Sequence, residues 1–191
     1  MCRLLPLLWI VCFSLARTAA AQAPTAQKLN LDSTRSHAAF EVRVLFLIGL
    51  HGDFSTVRGA LSVDRAGGSA SVDALIDTNT VRMRNRRYEN WTKSAEFFDA
   101  QHFPQIHFVS DPFPLARFAD GGKIEGVLTI RGATQRATFE LAPATCASPL
   151  AGACAVDATG TIRRSDFGMR SRRGTLSDKI DLSFAIFVRP P

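Results

Sequence analysis

In residues 38–44, the apolar side chains of Ala38, Phe40, Val42 and Val44 alternate with Ala39, Glu41 and Arg43. The same period returns near the far end of the chain. There Ile180, Leu182, Phe184, Ile186 and Val188 alternate with Asp181, Ser183, Ala185 and Phe187. Between them, Phe139 and Leu141 share one face of a segment whose other face carries Thr138 and Glu140. Period two with one apolar face marks half-buried antiparallel strands. Turn residues separate the runs: Gly67-Gly68, Asp120-Gly121-Gly122, Arg131-Gly132 and Ser177-Asp178. The pattern predicts strands at 28–32, 36–44, 51–55, 58–65, 68–77, 105–111, 123–131, 135–142, 155–164 and 179–189, some of them merging. That is enough for an all-β domain, an extended antiparallel barrel of eight strands.

One connection resists a strand reading. Residues 85–93 read as a short helix and 97–101 as a further helical turn, giving one or two short helices within 85–102. Pro104 then holds Phe103 extended. Strand parity assigns an inward face to Phe40, Val42, Val44, Ile106, Phe108, Leu128, Ile130, Phe139, Leu182, Phe184 and Ile186. Tyr88, Trp91, Phe97 and Phe98 fall on the connection, where they would cap or gate the barrel. By the same parity His107, between Ile106 and Phe108, faces outward.

The first residues add an address. Arg3, an apolar run at 4–15 and the small-residue pattern Ala21-Gln22-Ala23 read as a secretory signal peptide cleaved after residue 23. Residues 24–191 then form a single extracytoplasmic domain. Losing Arg3 and Arg17 lowers the net charge from +6 to +4. Cys2 and Cys12 leave with the signal, while Cys146 and Cys154 stay and can form a disulfide in an oxidising compartment.

Candidate chemistry is sparse. His37, His51, His102 and His107 are scattered, with no His-Glu-x-x-His and no cysteine partner, so no metal site is expected. Asp166-Phe167-Gly168 lacks the other kinase motifs. Arginines cluster at 81–88 and 163–174. They read as solvated loop charge, or as a group at a barrel mouth able to pair with a phosphate head group. The location and modest charge exclude nucleic acid as the expected partner. Asp32, His37 and Asp99 are the nearest acid–base candidates, and none has an evident partner. No catalytic residue is assigned.

Five segments, taken in order, resemble the YceI-like family. They are LDSTRSHAAFEVRV (31–44), GDFSTVRGALSVD (52–64), KSAEFFDAQHFPQIHFVS (93–110), GVLTIRGATQRATFEL (126–141) and IRRSDFGM (162–169). The resemblance covers residues 28–189. It implies a lipocalin-like barrel with a long internal pocket, in a bacterial periplasm. It further implies a polyisoprenoid lipid or isoprenoid quinone held in the interior as ligand, with no cofactor and no catalysis. The inward residues would then be the ligand lining and the aromatics of 88–98 its lid. One departure stands out: Tyr88-Glu89-Asn90-Trp91-Thr92 replaces the family's Arg-Asp-x-His-Leu, so Trp91 stands where a histidine is expected. Two rivals remain, a small-molecule enzyme on the same barrel and a filled barrel acting through its surface. Contact with a membrane or membrane protein, and a homodimer, stay open.

Overall fold

The computed structural model describes residues 26–45 and 47–189; the expected signal peptide lies outside them. The elements, in chain order, are β1 (Gln27–Asn30), β2 (His37–Val44), β3 (Ile48–Phe54), β4 (Val57–Asp64), β5 (Ser69–Asp77), β6 (Val81–Met83), α1 (Arg86–Lys93), β7 (Gln105–Ser110), β8 (Phe113–Pro114), α2 (Arg117–Asp120), β9 (Gly122–Ile130), β10 (Ala133–Leu141), β11 (Val156–Arg163) and β12 (Leu176–Ile186).

The register shows that six of these segments are halves of three long runs. β1 pairs with β4 (Asn30 opposite Ala60) and β2 pairs with β3 (Ala38 opposite Phe54). The β1–β2 run therefore lies antiparallel along the β3–β4 run. The β5–β6 run follows, through Val57 opposite Ile76 and Phe54 opposite Val81. β7, β9, β10, β11 and β12 then add in sequence. β12 returns to β2, and its tail reaches β1: Leu31 bridges Val188, Asp32 N–H donates to Phe187 O at 2.8 Å, and Arg189 N–H donates to Asn30 O at 2.8 Å. Eight runs thus close into one up-and-down antiparallel barrel, which leaves no long open edge.

The separate strands expected at 28–32 and 36–44 are one run, broken where turn-forming residues interrupt it. Asp32 accepts from the backbone and hydroxyl of Thr34, and Asp77 accepts from Asn79 N–H. The hydrogen bonds lost at these breaks are replaced by buried side chains. Ser36 Oγ accepts from Phe187 N–H at 2.9 Å, and Thr78 Oγ1 donates to Phe103 O at 3.0 Å. Among the described residues no buried side-chain polar atom lacks a partner.

The helix expected at 85–93 is α1, capped by Asn85, whose side chain accepts from Arg87 N–H. The further helical turn expected at 97–101 is not a helix. Asp99 takes φ 49°, which ends any helical path there, and Phe98 N–H donates instead to Thr92 O. A second helix forms elsewhere, as α2.

Because the barrel is a meander, its connections alternate between two ends. One end carries the β2–β3 hairpin, the connection 84–104, the turn 131–132 and the loop 164–175. The other carries 65–68, 111–121 and the loop 142–155, where Cys146 and Cys154 are disulfide-bonded.

Candidate functional site: an apolar barrel interior

The inward faces enclose a cavity along the barrel with almost no polar surface. Nine of the eleven residues assigned inward by parity line it: Phe40, Ile106, Phe108, Leu128, Ile130, Phe139, Leu182, Phe184 and Ile186. Val42 borders a second, smaller cavity instead, and Val44 packs against the core without lining either. Both face inward, but they lie toward the hairpin end, beyond the main cavity. His107 faces out as expected, its Nε2 2.8 Å from Asp73 Oδ1. His102 Nδ1 lies 2.8 Å from Asp99 Oδ1. The two histidines therefore engage different carboxylates and do not converge.

The aromatic rings are parked against the wall. Phe139 lies opposite Gly160, where a Cβ would come within 2.4 Å of the ring. Phe40 lies opposite Gly52 with the same 2.4 Å clash. Phe108 covers Gly126, where a Cβ would be 2.7 Å away, and Phe184 lies between Ala158 and Ala38. A small residue on the neighbouring strand gives each ring a place to lie flat. Phe108, Phe139 and Phe184 form an edge-to-face belt with centroids 4.9 and 5.2 Å apart. The open volume is about 120 Å³, the scale of a cavity that takes a benzene-sized group. A chain of tens of carbons enters only if the walls spread and these rings rotate.

The hairpin end is covered by aromatics on and after α1. Phe98 lines the main cavity and meets Phe40 and Phe54 at 6.0 and 5.5 Å. Tyr88, Trp91 and Phe97 border the second cavity, of about 30 Å³, beneath α1. Phe40, Phe98, Met169 and Ile180 line both cavities, so the two adjoin. Trp91 packs edge-on against Phe97 at 4.5 Å, and its Nε1 donates to Glu96. The Arg172 guanidinium stands 5.1 Å from the Trp91 ring, a cation–π contact that clips α1 to the 164–175 loop.

That loop is organised by a residue that pattern reading missed. Arg164 is 1 % exposed. Its guanidinium donates to the carbonyls of Met169, Ser171, Leu176 and Ser177 at 2.6–3.1 Å. Burial pushes its pKa down, with nearby Asp178 acting in the opposite sense. The arginine cluster at 163–174 thus divides into one interior strut and several exposed charges. The only signal in the sequence was its place in IRRSDFGM; nothing in strand parity singles out Arg164 over Arg163.

At the other end Phe113 and Phe118 close the cavity, 5.5 Å apart and both buried. They too escaped the sequence reading, because they sit in an irregular proline-containing connection with no period. The acid–base candidates do not join the site: Asp32, His37 and Asp99 do not line the cavity. Asp32 is engaged by Thr34, whose hydroxyl lowers its pKa.

Comparison with known proteins agrees with this architecture. The sequence model of the YceI-like domain matches residues 29–188. Protein YceI of Salmonella newport is 27% identical over 162 residues, covering 83% of this chain and 84% of that one. A UPF0312 protein of Yersinia enterocolitica is 27% identical over 173 residues, covering 84% and 85%. Among solved structures, BcnA of Burkholderia cenocepacia superposes with a TM-score of 0.67 at 24% identity, covering 82% of this chain and 98% of that one. A polyisoprenoid binding domain from Saccharophagus degradans superposes at 0.61 with 16% identity, covering 85% and 98%. A motif series, a closed eight-run barrel and a family match spanning nearly the whole described chain converge, and the chain belongs to the YceI-like family.

Proposed function

We propose that this protein binds one linear apolar lipid inside the barrel, a polyisoprenoid chain or an isoprenoid quinone, and carries it in the periplasm. The observation that carries the reading is the interior itself: a cavity running along the barrel, apolar on every side, in which Phe40, Phe108 and Phe139 lie over glycines. The solved neighbour described as a polyisoprenoid binding domain supports the ligand class. The signal-like residues 1–23 support the compartment. Each methylene withdrawn from water contributes about 0.8 kcal/mol, so a long chain binds without any polar anchor. The affinity must also offset the spreading of the walls.

Two measurements test this. Native mass spectrometry of protein taken from the periplasm is expected to show a co-purifying isoprenoid mass. A clean apo mass with no uptake of added quinone would instead favour a filled barrel acting through its surface. Cleavage of the signal leaves Trp91 as the sole tryptophan, so quinone bound beneath α1 quenches its fluorescence. Gly160→Ala is expected to tip Phe139 into the cavity and weaken uptake roughly tenfold or more, with the fold retained by circular dichroism. Undiminished uptake would place the ligand elsewhere.

A further inference from the structure

Five large apolar side chains are exposed among the described residues, and four of them share the hairpin end. Leu45 is 55 % exposed, Leu47 87 % and Ile48 60 %, all at the tip of the β2–β3 hairpin, and Tyr88 is 39 % exposed on α1. Leu45 is held in place. Leu45 takes φ 49°, rare for a branched side chain, and its N–H donates to Thr175 O at 2.7 Å. That bond sets the tip against the 164–175 loop.

The same end holds the positive charge. Its connections carry nine arginines and lysines against four aspartates and glutamates, while those of the other end carry two against two. Arg170, Arg172 and Arg173 on the loop beside the tip are exposed, as are Arg84, Arg86 and Arg87 at the start of α1. Among the described residues none of these six is in an ion pair; the nearby pairs take Arg43 with Glu41, and Arg82 and Lys93 with Glu89.

We infer that this end docks on the anionic face of a lipid bilayer, with Leu45, Leu47 and Ile48 inserted among the acyl chains and the surrounding arginines on phosphates. An apolar tip at an end rich in guanidiniums matches an interface that is apolar below and anionic above. A second copy of the chain fits poorly, because a two-fold contact through this end sets both positive surfaces against each other. Docking would place α1 and the cavity beneath it against the lipid. The inference deepens the proposed function but rests on the surface alone, and it is tested without any barrel ligand.

The test is flotation of the purified protein with vesicles of phosphatidylcholine, alone or mixed with phosphatidylglycerol. The wild type is expected to float with the mixed vesicles and to lose binding as salt rises. Leu47→Asp with Ile48→Asp is expected to abolish flotation while leaving the melting temperature unchanged, since both positions are exposed. Arg170→Glu with Arg173→Glu is expected to weaken binding to mixed vesicles by about fivefold or more per arginine. Wild-type protein that ignores the mixed vesicles, or a tip variant that floats as well as wild type, overturns the inference. So does a wild-type dimer in sedimentation that the tip substitutions convert to a monomer.

Discussion

The two ends of the barrel are closed in different ways. At the disulfide end the plug is buried and braced. Phe118 of α2 is 7 % exposed and packs on Phe113, Ala144 N–H donates to Phe118 O, and the Cys146–Cys154 bond holds the loop above. Arg35 ties that loop to the barrel by donating to Gly152 O while stacking 3.9 Å from the Phe187 ring. At the hairpin end the cover is α1, in which no residue is fully buried. It is held by the Trp91–Phe97 contact, by Glu89 accepting from Arg82 and from Met83 N–H, by Thr92 donating to Met83 Sδ, and by the Arg172 cation–π contact, over a loop that Arg164 ties together. Local stability follows buried apolar contact and cross-linking. By that measure α1 is expected to open more readily than the disulfide end.

Substitutions at each end test that contrast. Arg164→Ala should have the largest effect, about 4 kcal/mol in urea denaturation, because four carbonyls lose their donors inside the protein. Arg164→Lys should recover only part of it, since an ammonium has three donors and no fork. A small loss for Arg164→Ala would mean that the loop 164–175 is not the rigid part of the hairpin end. Phe118→Ala should cost roughly 3 kcal/mol. Replacing Cys146 and Cys154 by serine should cost about 2 kcal/mol, the chain-entropy value for so short a loop. Trp91→Ala should cost only about 1 kcal/mol, yet it should speed release of bound quinone. In hydrogen exchange the amides of α1 should open before those of 117–121. Equal costs for Trp91→Ala and Phe118→Ala, or equal exchange, would break the contrast.

The smallest expected effect is on pH. The Thr34 hydroxyl lowers the pKa of Asp32, and the Arg136 guanidinium lowers that of Asp111. A folded pKa below the unfolded one contributes stability that is complete above the unfolded value, near 3.9, and is lost as pH falls through the folded value. Melting temperature should accordingly hold above pH ~4 and decline only below it.

Much of the interior was legible from alternation alone. Phe108 and His107 are adjacent in sequence yet face opposite sides of the wall, as parity requires. Phe108→Asp should therefore be severe, because it buries an unpaired charge. His107→Asp should cost far less, losing the surface contact with Asp73 and setting two solvated carboxylates near each other. Turn residues, by contrast, misled where they fall inside a strand. Asp32 and Asp77 form local turns, but beyond each the chain rejoins the same neighbouring run, with the register shifted by two residues. Phe113 and Phe118 could not be read from periodicity, since an irregular connection has none.

By itself the sequence determined the side most strand residues face, most of the turns, and that one connection would be helical, although Ser177-Asp178, expected as a turn, lies inside β12. These depend on interactions within a few residues, which the local pattern carries. The tertiary structure decided the rest: that six strand segments join into three runs, that each wall phenylalanine meets a glycine or alanine, that Arg164 is interior while Arg163 is exposed, and that the arginines of two distant segments share one end of the barrel with the apolar hairpin tip. Those outcomes depend on register between strands far apart in the chain and on the alternation of connections in a closed meander. No local period encodes either.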